Sequence, residues 1–259
     1  MNLYFVVHSF TDTVFRGNPA GVCPLEEWLD DSLMQRIAAE NQLSETAFFV
    51  QKEDHLELRW FTPTIEVDLC GHATLASAYV LFDHLGHEED VITFRTQSGE
   101  LTAWKDGDYL VMDFPSRPGE PIKAPEALIT GLGRVPAEVY QARDCLAVFE
   151  SEQEVRDLEP DFAALESLDC TGIIASAPGI DADFVSRFFA PLAGIPEDPV
   201  TGSAHSTLTP YWASRLGKKR LIAHQVSERG GVLNCTLRDD RVLIAGQAAL
   251  YVKGFLSTD

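Results

Sequence analysis

The stretch from Arg59-Trp-Phe-Thr-Pro63 to Cys70-Gly-His-Ala73 decides the fold, because it recurs once in the second half of the chain. The second copy reads Arg187-Phe-Phe-Ala-Pro191 and then Thr201-Gly-Ser-Ala204. The glycines of the two later motifs lie 131 residues apart (202 − 71), roughly half of the 259-residue chain. An internal repeat of this length predicts two similar structural units.

Further matching segments extend the repeat on both sides of these motifs. Upstream, two short apolar strands are interpreted as equivalent, Ala47-Phe-Phe-Val-Gln51 and Gly172-Ile-Ile-Ala-Ser176. Downstream, Gly99-Glu-Leu101 and Gly231-Val-Leu233 each open a strand, a tight turn and a second strand, with alternating apolar residues. Each copy therefore reads as strand, strand, loop, helix, strand, turn, strand.

The helix of each copy is apolar on nearly every face, over residues of about 71–84 and about 202–216. Such a helix is buried. A buried helix among mainly antiparallel strands is typical of an α+β fold in which the sheet rolls around its own helix. We therefore predict two similar domains, 1–115 and 116–259, separated at the Pro-rich Phe114-Pro-Ser-Arg-Pro118, with the last residues as candidates to pack back on the first domain.

Charge and cysteine content exclude several classes of function. Forty Asp and Glu residues against twenty Lys and Arg residues give a formal net charge of −20, which disfavours nucleic acid and anionic membranes as partners. The N-terminus has no secretory signal pattern, and no apolar run is long enough to span a bilayer. Five scattered cysteines are typical of reduced thiols in a cytoplasm. No CxxC or HExxH motif is present, so we predict neither a metal site nor a cofactor.

The two buried helix starts predict a site for an anion. A helix N-terminus carries unpaired N–H groups and about half a positive charge. Gly71 and Gly202 allow a ligand to approach the backbone closely. If both starts face one cleft, backbone dipoles there would hold a small carboxylate inside an otherwise acidic protein.

Four side chains near these starts are candidates for chemistry, although each also has an ordinary structural explanation: His72 as a hydrogen-bonded core residue, Asp198 as a turn residue, Ser203 as a helix cap and Glu45 as a solvated acid. A pair of thiols at equivalent helix starts would predict racemisation by two bases. The chain has Cys70 at one start but Thr201 at the other, which excludes that symmetric mechanism.

Several segments together resemble the phenazine-biosynthesis PhzF-like family, which shares its fold with diaminopimelate epimerase. The matching segments are Phe15-Arg-Gly-Asn-Pro-Ala-Gly21, 41–49, 61–75 with Asp68-Leu-Cys-Gly-His72, Thr96-Gln-Ser-Gly99, Pro196-Glu-Asp-Pro-Val-Thr-Gly-Ser-Ala-His205 and Glu228-Arg-Gly-Gly231. They cover most of the chain in the expected order, and the segment from Pro196 to His205 is the most specific.

The resemblance implies two similar domains with the active site between them, in a cofactor-free isomerase that is commonly a homodimer. The family's catalytic carboxylate falls on Glu45. Its substrate-contacting His, Asp and Ser fall on His72, Asp198 and Ser203. The second catalytic Cys of the epimerase relatives falls on Thr201, where this chain departs from them.

The working hypothesis is a cofactor-independent isomerase that moves a proton on a small carboxylic acid by general acid/base catalysis in an inter-domain cleft. The predicted catalytic residues are Glu45, His72, Asp198 and Ser203. The predicted substrate-binding residues are Gly71, Gly202, Cys70, Thr201 and Asn18. Two alternatives stay open: an epimerase that uses Cys70 with a non-thiol partner, and a small-acid-binding protein without turnover.

Overall fold

The structure, a computed structural model, describes residues 1–53 and 55–258, which divide into two units. Unit 1 comprises Met1–Asp113 and Ala245–Asp259, and unit 2 comprises Phe114–Ile244. The sequence divided the chain at about residue 115 and named the last residues as candidates to pack back on the first domain. In the structure, residues from 245 onward belong to unit 1, because their strand pairs along the whole of the first strand of the chain.

Unit 1 is an α+β unit. Its strands are β1 (Asn2–Ser9), β2 (Asn18–Leu25), β3 (Glu45–Gln51), β4 (Leu56–Phe61), β5 (Glu66–Val67), β6 (Val91–Thr96), β7 (Gly99–Asp106), β8 (Tyr109–Pro115) and, from the end of the chain, β18 (Ala248–Leu256). Its helices are α1 (Asp31–Asn41) and α2 (Gly71–His84). The α2 bounds coincide with the predicted helix of about 71–84.

The strands of unit 1 form one mixed sheet in the order β18–β1–β2–β3–β4–β6–β7–β8. The pairs β2/β3 and β4/β6 are parallel, and the other neighbours are antiparallel. The short strand β5 adds to β4 in antiparallel fashion. Helix α2 packs against β1, β2, β3, β7 and β18, so strands from the whole width of the sheet surround it.

Unit 2 is also an α+β unit. Its strands are β9 (Glu120–Pro121), β10 (Glu138–Gln141), β11 (Cys145–Val148), β12 (Ile173–Pro178), β13 (Phe184–Ala190), β14 (Ile195–Asp198), β15 (Arg220–Gln225), β16 (Gly231–Arg238) and β17 (Arg241–Gly246), which runs into unit 1. Its helices are α3 (Glu126–Leu132), α4 (Glu152–Arg156), α5 (Phe162–Leu165) and α6 (His205–Leu216). A single 3₁₀ turn, Gly202–Ala204, precedes α6 within the predicted helix of about 202–216.

The pairing of unit 2 repeats that of unit 1. β11 is parallel to β12, β12 antiparallel to β13, β13 parallel to β15, and β15 antiparallel to β16, while the short β14 adds to β13. These relations correspond one to one with those of β2, β3, β4, β6, β7 and β5. Helix α6 packs on β15 and β16, and its Trp212 stacks on Phe184 at 5.6 Å between ring centroids.

The repeat extends to an ion pair that joins β4 to β5 in unit 1 and β13 to β14 in unit 2. In unit 1, the Arg59 guanidinium donates to both carboxylate oxygens of Glu66 at 2.7 and 2.8 Å. In unit 2, Arg187 donates to both oxygens of Glu197 at the same distances. Each guanidinium also lies about 5 Å from the ring of a Phe two residues along its own strand. The arginine that opens each repeated motif therefore forms the same ion pair in both units.

Strand register fixes the residue equivalence of the two apolar strands. Phe48 pairs with Arg59, and Ala175 pairs with Arg187. Aligning the two arginines therefore matches Phe48 with Ala175 and Glu45 with Gly172. The sequence indicated that the two strands are equivalent but not their register, because short apolar strands carry too little information to fix it.

Every residue of α2 from Gly71 to Ala78 is buried, as expected for a helix that is apolar on all faces. In α6, burial covers His205 to Thr209 together with Trp212 and Ala213. Of the helices that the structure describes, none has the length and apolar character to cross a membrane.

Replacing either of the two equivalent arginines should lower the free energy of unfolding, and the loss should be larger for Arg187. Arg187 additionally donates to the backbone carbonyls of Val155 and Leu158 at 3.2 and 2.7 Å, whereas Arg59 has the exposed Asp31 as its further partner. We expect Arg187→Met to lower the free energy of unfolding by about 1.5–3 kcal/mol and Arg59→Met by less. Urea denaturation of both variants checks this order, and an equal or reversed loss would contradict it.

Candidate functional site

Unit 1 brings Glu45 to the start of helix α2. Glu45 is the first residue of β3, and α2 packs against that strand. Cys70 has extended backbone angles (φ −143°, ψ 108°) and occupies the N-cap position, so Gly71 and His72 form the first helical turn. The first residue of β3 and the N-cap of α2 are twenty-five residues apart in sequence (70 − 45), and they lie close together in the structure.

The His72 imidazole lies between an acid and a thiol. Its Nε2 is 3.1 Å from Oε2 of Glu45, and its Nδ1 is 3.5 Å from Sγ of Cys70. All three side chains are nearly excluded from solvent, with residue exposures of 8% for Glu45, 6% for Cys70 and 4% for His72. The backbone amide of Ala73 also interacts with the Cys70 sulfur. This Glu45–His72–Cys70 group is called the acid–imidazole–thiol cluster below.

Burial and charge set the protonation of this cluster. Burial by itself lowers the pKa of His72, but the Cys70 sulfur and the Glu45 carboxylate raise it more, so the pKa lies well above its ordinary value. Burial, and then the Glu45 charge, raise the pKa of the Cys70 thiol to about 11. The Cys70 thiol is therefore neutral at neutral pH, where the Glu45 carboxylate is what favours the protonated imidazole of His72.

Asn18 and Ser9 support the same region from the sheet. Asn18 is fully buried at the start of β2 and pairs in register with Ser9 on β1. The Ser9 hydroxyl donates to the backbone carbonyl of His72 at 2.7 Å. The sequence singled out Asn18 but missed Ser9, because nothing in an apolar strand indicates which hydroxyl reaches a helix that begins more than sixty residues later.

In unit 2, the predicted residues gather around Thr201. Its hydroxyl donates to Oδ2 of Asp198 at 2.5 Å. Gln225 on β15 connects both residues: its Nε2 donates to the Asp198 carbonyl at 2.8 Å, and its Oε1 accepts from the Thr201 amide at 2.8 Å. Gln225 was missed by sequence reasoning, because a single Gln at the end of a strand carries no motif.

Thr74 and His205 occupy equivalent positions in the two copies of the repeat, each four residues after the residue that precedes the glycine of its helix start. The Thr74 hydroxyl donates to the Cys70 carbonyl at 2.6 Å, and Nδ1 of His205 donates to the Thr201 carbonyl at 2.9 Å. Both bonds reach back four residues. Burial lowers the pKa of His205 to about 4, so this imidazole is neutral where His72 is charged. His205 was quoted in the most specific motif but was not selected as a site residue.

The structure thus groups the predicted residues into two sets. One set, in unit 1, is Glu45, Cys70, Gly71 and His72. The other, in unit 2, is Asp198, Thr201, Gly202 and Ser203. Asn18 of unit 1 is placed only by its pairing with Ser9. Gly202 is buried and Ser203 is half-buried in the 3₁₀ turn. Both sets lie at the start of their unit's buried helix, in the equivalent part of the repeat.

Comparison with known proteins places this geometry in context. The profile of the phenazine biosynthesis-like protein family (PhzC-PhzF) matches residues 7–254. An uncharacterized isomerase of Pseudomonas aeruginosa is 52% identical over 252 residues, covering 97% of each chain. A crystal structure of a PhzF-family protein of Enterococcus faecalis superposes with a TM-score of 0.95 at 47% identity, covering 98% of each chain.

A more distant structure supports the fold class. A protein from Pseudomonas aeruginosa described as a predicted epimerase has a TM-score of 0.78 at 21% identity, with full coverage of both chains. At that identity the likeness shows a shared fold and nothing about activity. The predicted epimerase-like α+β fold is confirmed.

The pKa values of the two buried imidazoles, His72 and His205, should be shifted in opposite directions. We expect NMR to find the midpoint of His72 well above the ordinary value of 6.5 and that of His205 near 4. Glu45→Gln removes the charge beside His72 and should lower its midpoint by about 1–3 units, while the His205 midpoint stays unchanged. A His72 midpoint at or below 6.5 in the wild-type chain would contradict the described cluster.

The same shifts fix the signs of their contributions to stability. Protonated His72 stabilises the folded chain below pH 6.5, and this contribution is lost as the pH rises through its raised pKa. Neutral His205 acts in the opposite sense, since stability falls as the pH drops from 6.5 toward about 4. Urea denaturation across this range should therefore show that the acid-side loss is reduced in His205→Gln.

Proposed function

Because the chain belongs to the phenazine biosynthesis-like protein family, whose 52%-identical relative is named an isomerase, we propose that it is a cofactor-independent isomerase acting on a small carboxylic acid. Glu45 is the general acid/base that removes a proton from an activated carbon and returns it elsewhere. The single observation that carries this role is the buried contact between Glu45 and His72 at the start of α2.

The cluster supports acid/base chemistry through its position. A general acid/base must be held within hydrogen-bond reach of the proton that it transfers. His72 holds the Glu45 carboxylate in place through their buried contact, and it donates to a polar substituent of the substrate or relays the proton. The amides of Gly71 and His72 at the helix N-terminus bind the substrate carboxylate and stabilise the negative charge that develops as the proton leaves.

The set in unit 2 is a second candidate binding set. In this proposal Asp198, Thr201 and Ser203 hold polar substituents of a small acid, and Gly202 offers its backbone amide to a carboxylate. The hydrogen bond from Thr201 to Asp198 supports this assignment, since it fixes the carboxylate in one orientation. Asn18, predicted to bind substrate, pairs in register with Ser9, whose hydroxyl binds the His72 carbonyl. The predicted homodimer and cytoplasmic location remain predictions.

The repeat itself favours a mechanism with one base. The register equivalent of Glu45 is Gly172, where an added Cβ would lie 2.2 Å from the ring of Phe188. Unit 2 therefore has neither an acid nor room for one at the position that Glu45 occupies in unit 1. A proton shift needs one group that removes and returns the proton, and Glu45 meets that requirement alone.

Isotope exchange tests the role of Glu45. In deuterated water, a panel of small carboxylic acids is followed by NMR with the wild-type chain and with Glu45→Gln. We expect wild-type exchange to slow by about 10²–10⁴-fold in the variant. Glu152→Gln is the matched control, because Glu152 is equally buried but binds Arg156 and the Ile180 amide outside the site. Unchanged exchange in Glu45→Gln would overturn the assigned role.

Two further results separate the alternatives. If the acids raise the melting temperature of the wild-type chain without any exchange, the protein binds small acids without turnover. An epimerase based on Cys70 would lose all exchange in Cys70→Ser, whereas the Glu45 mechanism is largely spared. The Cys70 thiol is a poor base in its described state, since burial keeps its pKa near 11.

A further inference from the structure

The side-chain amide of Gln225 lies in one fixed orientation. Its Oε1 accepts from the backbone N–H of Thr201 at 2.8 Å, and its Nε2 donates to the backbone carbonyl of Asp198 at 2.8 Å. A backbone N–H can only donate and a backbone carbonyl can only accept, so the two contacts together distinguish the oxygen of the amide from its nitrogen. Gln225 is 1% exposed, so both bonds are shielded from solvent.

This orientation fixes the direction of the Thr201 hydroxyl. The same Nε2 of Gln225 lies 3.2 Å from Thr201 Oγ1, and because an amide nitrogen can only donate, the hydroxyl oxygen accepts there. A hydroxyl has a single proton, and that of Thr201 is directed to Oδ2 of Asp198 at 2.5 Å. Donation therefore runs from Gln225 to Thr201 to Asp198, which are called the amide–hydroxyl–carboxylate series below.

At the end of this series, Oδ2 of Asp198 is a hydrogen-bond acceptor. Asp198 is 8% exposed, and a buried carboxylate is costly unless it is hydrogen-bonded. A bond that a carboxylate accepts stabilises its ionised form, and bonds of this charge-assisted kind are stronger than neutral ones. The series thus favours Asp198 as an acceptor over Asp198 as a proton donor.

Unit 1 forms an equivalent helix start without this series. By strand register, Thr96 stands where unit 2 has Gln225, and its hydroxyl donates to the carbonyl of Gly99 in its own turn. The other two positions of the series carry Cys70 and Val67 in unit 1, so neither the hydroxyl nor the acid is repeated. Burying a helix start in this framework therefore does not by itself require the three groups of unit 2.

We propose that Gln225 is a positioning residue, which directs the Thr201 hydroxyl to Asp198 and so keeps that carboxylate a hydrogen-bond acceptor. Asp198 then binds a donor group of the small acid and does not supply the proton that the isomerase moves, which leaves proton transfer to Glu45. The first statement concerns the folded chain alone, whereas the second rests on the proposed function.

Neutron diffraction tests the direction of donation in the wild-type chain. In crystals exchanged into deuterated water, we expect the Thr201 hydroxyl deuterium on the line to Asp198 Oδ2. The two amide deuterium atoms of Gln225 should be directed to the Asp198 carbonyl and to Thr201 Oγ1. A deuterium on Asp198 Oδ2, or a Thr201 hydroxyl directed away from it, would overturn the assignment. This measurement needs neither a substrate nor a variant.

Isotope exchange of small carboxylic acids tests the role of the series in the site. We expect exchange to slow on the order of 10–100-fold in Thr201→Val and in Gln225→Met, and to stay close to the wild-type rate in Thr201→Ser, which keeps the hydroxyl. Because both changes break one series of bonds, the double variant should be no slower than the slower single variant. Slowing by the product of the two single effects would show that Gln225 does not act through Thr201.

Ser227→Ala is the matched control, because it removes a different hydrogen bond to the same loop. The Ser227 hydroxyl donates at 2.7 Å to the carbonyl of Pro199, which lies between Asp198 and Thr201 in sequence. We expect exchange at the wild-type rate in this variant. Equal slowing in Ser227→Ala and Gln225→Met, or unchanged exchange in Gln225→Met, would contradict the positioning role.

The positioning role and the isomerase proposal fail separately. If the wild-type chain exchanges none of the acids, or if exchange does not depend on Glu45, the isomerase proposal falls and the neutron map decides the role of Gln225. If exchange depends on Glu45 but the map shows another direction of donation, the positioning role alone is wrong. The map of the wild-type chain also decides the matter where a variant fails to fold.

Discussion

The site depends on one constraint: the first turns of helix α2 are buried on every side. Residues Gly71 to Ala78 are all buried, so water is not available to the polar groups at the start of the helix. An isolated charge in such surroundings costs several kcal/mol. Glu45 and His72 therefore meet as a pair, and the charge of each stabilises that of the other. The exclusion of water favours a sheet that rolls around its helix. It also favours pairing of the acid and the imidazole at the helix start.

The repeat preserves this framework in both units while changing the groups that it carries. The Arg59–Glu66 and Arg187–Glu197 ion pairs tie the short strand before each helix start to the sheet. These strands lead directly to the Cys-Gly and Thr-Gly motifs. Fixing the strand on one side of the loop and burying the helix on the other leaves the intervening backbone few conformations. The precision of the site is thus a consequence of the scaffold around it.

Sequence patterns predicted the elements that depend on local periodicity. Helix α2 was placed correctly because the fourteen residues from Gly71 to His84 are mostly apolar and have no strand-like alternation. The 3₁₀ turn before α6 could not be predicted, because it depends on how Thr201 bonds to Asp198 and Gln225. Strand β18 was left open for the same reason, since its pairing with β1 joins opposite ends of the chain.

The candidate site also has features that could be predicted from the sequence and features that could not. Glu45, His72, Asp198 and Ser203 were selected by family resemblance, because each has an ordinary structural role when its local sequence is considered alone. The contact of Glu45 with His72, the neighbouring Cys70 sulfur and the bridging Gln225 could not be predicted. Each of them depends on strand register and on the packing of a helix against a distant strand, which local sequence patterns do not specify.

The two helix starts carry different groups on the same framework. Gly172 stands where unit 1 has Glu45, and Asp198 pairs with Phe188 where unit 1 pairs Val67 with Trp60. Each unit thus carries an acid at a position where the other has none, and the Asp198 carboxylate is bound by Thr201. Because Glu45 has a buried imidazole beside it and Asp198 has a hydroxyl, the two helix starts differ chemically although their strands pair in the same way.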